Sequence, residues 1–381
     1  MSSDHDSYDQ QYIATHAKAH APAITLEDET PRFGLLDHAK TDLWEESAFA
    51  LVAESGDHDL LLWTAGYLLE ANGRGVWIDQ ASAERDLMFI SVPRSQRGRM
   101  TDNNFVRTGW HRGERFARDA VRIEQSEERV VWTFDQQQFI SEPGAQPPAW
   151  RVAGPVAGLD LDLTYKQIGH PLWNWGPFAG AAQAQRGGYD VFARVDGSIT
   201  AGERRFDIVD GQGVREHILV GQAADPIRNL PAPRVMWWLY ATKGDIGINF
   251  FRPGSVDIGT VYVGQREIKF NPAAGMGSIR YDTLEHWEDP RSGYHLPVHW
   301  RLQMHNAEAT VELDIHCHGR AYEYWTLDAG VRLYCYQICT GHGFVQLADG
   351  RRDVFEDHLL LNSFNRTILV RQERFEGALY E

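Results

Sequence analysis

A pattern that occurs twice constrains this chain more than any other feature. Residues 202–218 run Gly202-Glu203-Arg204-Arg205-Phe206-Asp207-Ile208 and, after a short gap, Gly211-Gln212-Gly213-Val214-Arg215-Glu216-His217. Residues 264–282 run Gly264-Gln265-Arg266-Glu267-Ile268-Lys269-Phe270 and, after a longer gap, Gly275-Met276-Gly277-Ser278-Ile279-Arg280-Tyr281-Asp282. Each copy reads as a Gly turn, an alternating strand, a Gly-x-Gly bend and a second alternating strand. A hairpin unit used twice predicts a chain built from two related β modules.

The rest of the chain agrees with an antiparallel β protein. Short strand-like runs recur between turn signals, among them Leu60-Leu61-Leu62-Trp63, Leu87-Met88-Phe89-Ile90 and Val130-Val131-Trp132-Thr133-Phe134. Residues 222–233, which contain Pro226, Pro231 and Pro233, are the best linker candidate. We therefore expect a mobile arm over 1–24, a first β domain over 25–225 and a second over 226–381. Asp353 to Asn362 (DVFEDHLLLN) is expected to form a short carboxy-terminal helix. Sheets of this many strands must close or pair to protect their edges, so each module should be closed or curled.

Bulk properties exclude several function classes. The chain has 381 residues, enough for two domains with substantial cores, and a formal charge of −16. That charge argues against nucleic acid as a partner, because phosphate binding needs concentrated Lys and Arg. No run of about 18 apolar residues occurs, so stable membrane insertion is not expected. Met1 to Gln11 lacks the apolar core of a signal peptide. The three cysteines, Cys317, Cys335 and Cys339, do not make a disulfide framework, which fits a cytoplasmic protein with reduced thiols. Oligomeric state, a homo-oligomer included, is left open by these properties.

Candidate chemistry concentrates in a few strands. In Gly213 to Gly221 (GVREHILVG), Glu216 shares a strand face with Val214, Ile218 and Val220, whereas Arg215 and His217 point the other way. A carboxyl among apolar neighbours has a raised pKa and can act as a general acid at neutral pH. Arg215, Glu216 and His217 together offer an anion clamp, an acid and a base within two pleats; a structural ion pair is the alternative. A second set lies in Ala309 to Gly319 (ATVELDIHCHG), where Asp314, His316 and His318 fall on one face. They have the composition of a two-His-one-carboxylate metal site, but a solvated polar face is commoner, and no metal is assigned. A third set is aromatic. Trp173 and Trp175, in Pro171-Leu172-Trp173-Asn174-Trp175-Gly176-Pro177-Phe178, could wall a pocket for a flat substrate together with Trp237 and Trp238. His170 and Tyr189 are nearby proton donors or acceptors. Dinucleotide loops, phosphate loops and Gly-x-Ser-x-Gly elbows do not occur.

The stretch from Gly197-Ser198-Ile199 to Glu216-His217, and the later Pro297-Val298-His299-Trp300-Arg301-Leu302, Tyr324-Trp325 and Gly341-His342-Gly343-Phe344-Val345-Gln346-Leu347, resemble the carotenoid 1,2-hydratase (hydroxyneurosporene synthase) superfamily. The resemblance covers residues 160–350. It implies two tandem lipocalin-like (calycin-type) antiparallel β barrels or curled sheets, a ligand site in or between them, and no organic cofactor. It adds Tyr324 and Trp325 to the substrate-binding candidates. Trp325 is followed by Thr326-Leu327 where the family has Glu-Gly, and the chain lacks the apolar character of a carotenoid handler. The expected activity is thus that of a cofactor-independent lyase or isomerase acting on a hydrophobic or aromatic small molecule such as a terpenoid or lignin-type phenol. The alternative is a non-catalytic carrier of such a ligand.

Overall fold

The computed structural model describes residues 13–17, 22–35, 41–70, 82–101, 114–184, 186–223, 235–252, 256–290, 295–327 and 330–368. Its first sheet contains β1 (Thr41–Ser55), β2 (His58–Glu70), β3 (Ser82–Pro93), β4 (Glu114–Ala117), β5 (Arg122–Gln125), β6 (Val130–Phe134), β7 (Gln137–Glu142), β8 (Ala149–Val156), β9 (Leu159–Gly176), β10 (Arg186–Ala201) and β11 (Arg204–Ala223). The second contains β12 (Val235–Lys243), β13 (Ile246–Arg252), β14 (Ile258–Val263), β15 (Arg266–Phe270), β16 (Ser278–Glu288), β17 (His295–His305), β18 (Ala309–Leu327), β19 (Gly330–Leu347) and β20 (Arg352–Ile368). The helices α1 (Leu26–Glu29) and α2 (Ala181–Ala184) are single turns.

Both sheets are antiparallel, curl into half-barrels and share one topology. The first orders its strands 4-3-2-1-11-10-9-8-7-6-5 and the second 15-14-13-12-20-19-18-17-16. In each, the opening four-strand meander pairs its first strand with the last strand of the module. The repeat is real, but its units differ from the two segments that suggested it. Residues 204–223 form one continuous strand, β11, with Gly211 and Gly213 inside it. Gly213 is there for packing: a Cβ would lie 2.4 Å from Val195 and 2.7 Å from the Tyr165 ring. The supposed second copy supplies β15 and β16, which stand at opposite edges of the second sheet.

Apolar side chains fill three regions: the inside of each half-barrel and the seam between the sheets. Strand β1 shows how. Phe49, Leu51 and Ala53 enter the first interior, whereas Ala48, Ala50 and Val52 enter the seam. Burial on both faces produces continuous apolar runs instead of alternation.

The same effect overturns the expected carboxy-terminal helix, since residues 353–362 lie in strand β20. Leu359 and Leu361 pack in the seam and Leu360 in the second interior, so three successive leucines are buried in an extended chain. The described parts of the expected mobile arm are also docked. His16 Nε2 lies 3.0 Å from Thr260 Oγ1, Asn271 Nδ2 donates to the Ile13 carbonyl at 3.1 Å, and Ile24 is in the first core. Residues 1–12 and most of the linker segment (224–233) lie outside the described residues. Among the described residues no helix is long and apolar enough to cross a membrane.

Candidate active site

The pairing of β10 with β11 sets Tyr189 opposite His217 and Asp190 opposite Glu216. Successive residues point to opposite faces of a sheet, so these two pairs face different regions. Arg215, His217 and Tyr189 enter the first half-barrel, whereas Glu216 and Asp190 face the seam. The three-residue group read from the sequence is therefore divided between two sites.

The seam site is built around two carboxyls. Strand β9 has extra residues against β10 in the register between Ile168 and Gly176. Bulges of this kind re-aim side chains. Here Asn174 Nδ2 donates to Asp190 Oδ2 at 2.6 Å, and the Tyr240 hydroxyl from β12 donates to the same oxygen at 3.2 Å. The Asp190 and Glu216 carboxyls bond to each other side chain to side chain. Burial raises the Glu216 pKa well above the carboxylate range, and the negative charges of Asp190 and Glu46 push it further. Burial raises Asp190 as well. Two adjacent carboxyls in low dielectric cannot both ionise, so the pair holds a proton at neutral pH.

Aromatic rings line the same seam. Tyr240 packs edge-on to Phe192, Trp238 stacks on Phe251 at 5.1 Å, and Trp175 meets the same Phe251 at 6.4 Å. Trp63 stacks on Tyr336 across the seam at 4.8 Å. Among the described residues, the indole nitrogens of Trp63 and Trp238 are buried without a hydrogen-bond partner. Buried polar atoms are normally satisfied, so these two mark places for a ligand or water to bond. The arrangement supplies a proton donor, its conjugate base and flat apolar walls.

The interior site is closed by the chain itself. Thr25 caps α1 through a capping box with Asp28, and the single turn delivers Glu29 into the half-barrel. Glu29 Oε1 accepts from the Tyr189 hydroxyl and Trp150 Nε1, both at 2.6 Å. Oε2 accepts from Arg215 Nη2 at 2.6 Å and Ser141 Oγ at 2.9 Å. Burial opposes the Glu29 charge, but Arg215, His217 and these donors outweigh it and hold the pKa below the ordinary value. His217 Nε2 meets Glu45 Oε1 at 2.9 Å, and the Glu45 carboxylate accepts the Arg32 backbone N–H at 2.7 Å. Both carboxylates are held by fixed partners, which suits positioning better than proton transfer to a substrate, although Arg215 Nε and His217 Nδ1 are buried without a hydrogen-bond partner among the described residues.

The remaining sequence candidates are dispersed. His170 Nε2 bonds the Gln265 carbonyl at 2.9 Å, beside the β14–β15 turn. Trp173 packs against Tyr189 in the first interior and donates to the Pro22 carbonyl at 2.9 Å. Trp237 lies in the second interior against Trp300 and Tyr281, so only Trp175 and Trp238 of the four tryptophans reach the seam. Tyr324 and Trp325 are in β18, with side chains outside the described residues. A register shift between Cys317 and Gly319 separates His318 from Asp314 and His316. His318 is buried instead and meets Asp59 Oδ2 of the first sheet at 3.0 Å.

Asp190, Tyr240, Glu46 and Glu29 were not among the sequence candidates. Asp190 left a signal like that of Glu216, an acid inside the apolar run Tyr189-Asp190-Val191-Phe192. Glu29 left its capping box, Thr25 to Asp28.

No protein-family model matches the chain, and no curated protein matches it. Solved structures do. A protein of Nitrosomonas europaea provisionally designated AttH is 12% identical, with a TM-score of 0.55, covering 92% of this chain and 99% of its own. CghA, crystallised with Sch210972, is also 12% identical, with a TM-score of 0.52, covering 86% of this chain and 88% of its own. At this identity the likeness shows the fold, a pair of lipocalin-like half-barrels.

Proposed function

We propose that the chain is a cofactor-independent lyase or isomerase that binds a hydrophobic or aromatic small molecule in the seam, between halves spanning 25–225 and 226–381. The carrying observation is the buried Asp190–Glu216 pair, which keeps a proton beside aromatic walls. Glu216 delivers that proton to a carbon or hydroxyl of the substrate, and its carboxylate takes a proton back later in the cycle. Asp190, oriented by Asn174 and Tyr240, keeps the Glu216 proton available by opposing a second negative charge. Addition or elimination of water is the form favoured by the resemblance to carotenoid 1,2-hydratases. CghA, a fold neighbour crystallised with Sch210972, supports reading the fold as a ligand holder.

The test is turnover and binding with hydroxylated terpenoids and lignin-type phenols. Wild type should bind and convert a member of the panel. Glu216→Gln should keep its affinity while kcat falls by about 10²-fold or more, the usual contribution of a general acid. A ligand bound tightly but never converted by wild type would make the chain a carrier, and undiminished turnover by Glu216→Gln would remove the seam carboxyl from the chemistry.

A further inference from the structure

We propose that the second half-barrel carries a divalent transition-metal site on its outer face, formed by His299, Asp314 and His316. Two of these residues are adjacent candidates from one strand; the third comes from the strand beside it. The β17–β18 register sets His299 directly opposite His316 and Arg301 opposite Asp314. Directly opposed side chains on one face approach to about 5 Å between Cβ atoms. The imidazole rings accordingly stack at 3.9 Å and 21°. Their Nε2 atoms converge on one oxygen, Asp314 Oδ1, at 2.7 Å from His299 and 2.9 Å from His316. All three ligand atoms lie within 4.8 Å of one another.

This convergence suits a cation better than it suits hydrogen bonding alone. A neutral imidazole offers one N–H and one lone pair, and here two rings spend the same nitrogen on one acceptor. A shared ion would take a lone pair from each Nε2 and one from the carboxylate. Zinc bonds of about 2.0–2.2 Å then require only a small retreat of the ligands from their present contact. The neighbours agree. Arg301 Nη2 holds the other carboxylate oxygen, Oδ2, at 3.1 Å, which fixes the orientation of Oδ1 toward the rings.

Two further features define the site. Leu313 and Ile315, which flank Asp314 in the strand, point into the second core, so the cluster lies on the opposite face. The three side chains are 21%, 31% and 36% exposed, which lets an ion enter and leaves coordination positions open to solvent. Two imidazoles and one carboxylate with open positions suit zinc, cobalt(II) or iron(II) rather than magnesium or calcium.

The test uses chelator-treated full-length protein titrated with Co²⁺, followed by visible d–d absorption and then displacement by Zn²⁺. One equivalent should bind, and His299→Ala and His316→Ala should each weaken it by about 10²-fold or more. Asp314→Asn should weaken it too. His305→Ala, on the same strand as His299, should leave it unchanged. Circular dichroism on each variant separates lost binding from lost fold. Cobalt binding that survives in both His299→Ala and His316→Ala, or that is absent from wild type, would overturn the proposal.

Discussion

Arg215 is a cation sealed inside a half-barrel, and its carboxylate partner, Glu29, lies 186 positions away in the sequence. A buried charge is tolerable only while it is paired and fully bonded. Removing the partner strands the charge, whereas removing both leaves an apolar site. Glu29→Gln should therefore cost about 3–5 kcal/mol in urea unfolding, and adding Arg215→Met should restore much of it. A double-variant loss equal to the sum of the Glu29→Gln and Arg215→Met losses would mean that the pair is not energetically linked. Glu216 was legible in the sequence because an acid inside an apolar strand is conspicuous. Its partner Asp190 was not, because the pairing depends on register between strands. His318 was misplaced for the same reason: one bulge turned it from the outer face to the seam.

Two glycines show the repeat that the sequence only hinted at. Strand β10 shifts register between Val195 and Gly197, and its counterpart β19 shifts between Gly341 and Gly343. Gly197 has φ +140° and Gly343 +149°, and a Cβ on either would stand 1.9 Å from a neighbouring carbonyl oxygen, that of Asp162 or Glu312. Each half-barrel thus bends at an equivalent glycine. Gly343→Ala and Gly197→Ala should each destabilise by about 1–3 kcal/mol or more from backbone strain alone. Gly34→Ala, with nothing within 4 Å of its Cβ, serves as the control in the same thermal melts. A small effect at Gly343 would deny the bend its structural role. The β class was legible because turns and strand runs are local. The equivalence of β10 with β19 was not, because nothing in a single Gly distinguishes a bend from the packing role of Gly213. Strand β20 was missed because its leucines are buried on both faces.

Across the whole molecule, stability and the proposed chemistry depend on the same proton. Glu29 and Asp59 have lowered pKa values in the fold, so the stability they contribute is present above the ordinary carboxylate range and is lost as pH falls through their folded values. Asp59 acts at the seam itself, where Arg97 holds it with His318. His16 works in the same direction, because burial brings its pKa to about 3 and unfolding lets it take up a proton below its ordinary value. Glu216 and Asp190 work the other way. Their folded pKa values are raised, so their contribution is complete below the unfolded carboxylate value and is lost as pH climbs toward the folded one. Each such proton changes unfolding free energy by up to about 1.4 kcal/mol per pH unit in that window. Because His16 offsets part of this slope, the difference between Glu216→Gln and wild type isolates the seam carboxyl. The amide introduced by that substitution cannot ionise, so urea unfolding should show the variant gaining on wild type steadily from about pH 5 upward, where unfolded carboxyls are ionised. A difference that does not change with pH would place the titrating proton elsewhere. If it rises as expected, the folded seam keeps its proton throughout that window, and the proposed activity should decline only at higher pH, as the raised folded value of Glu216 is passed.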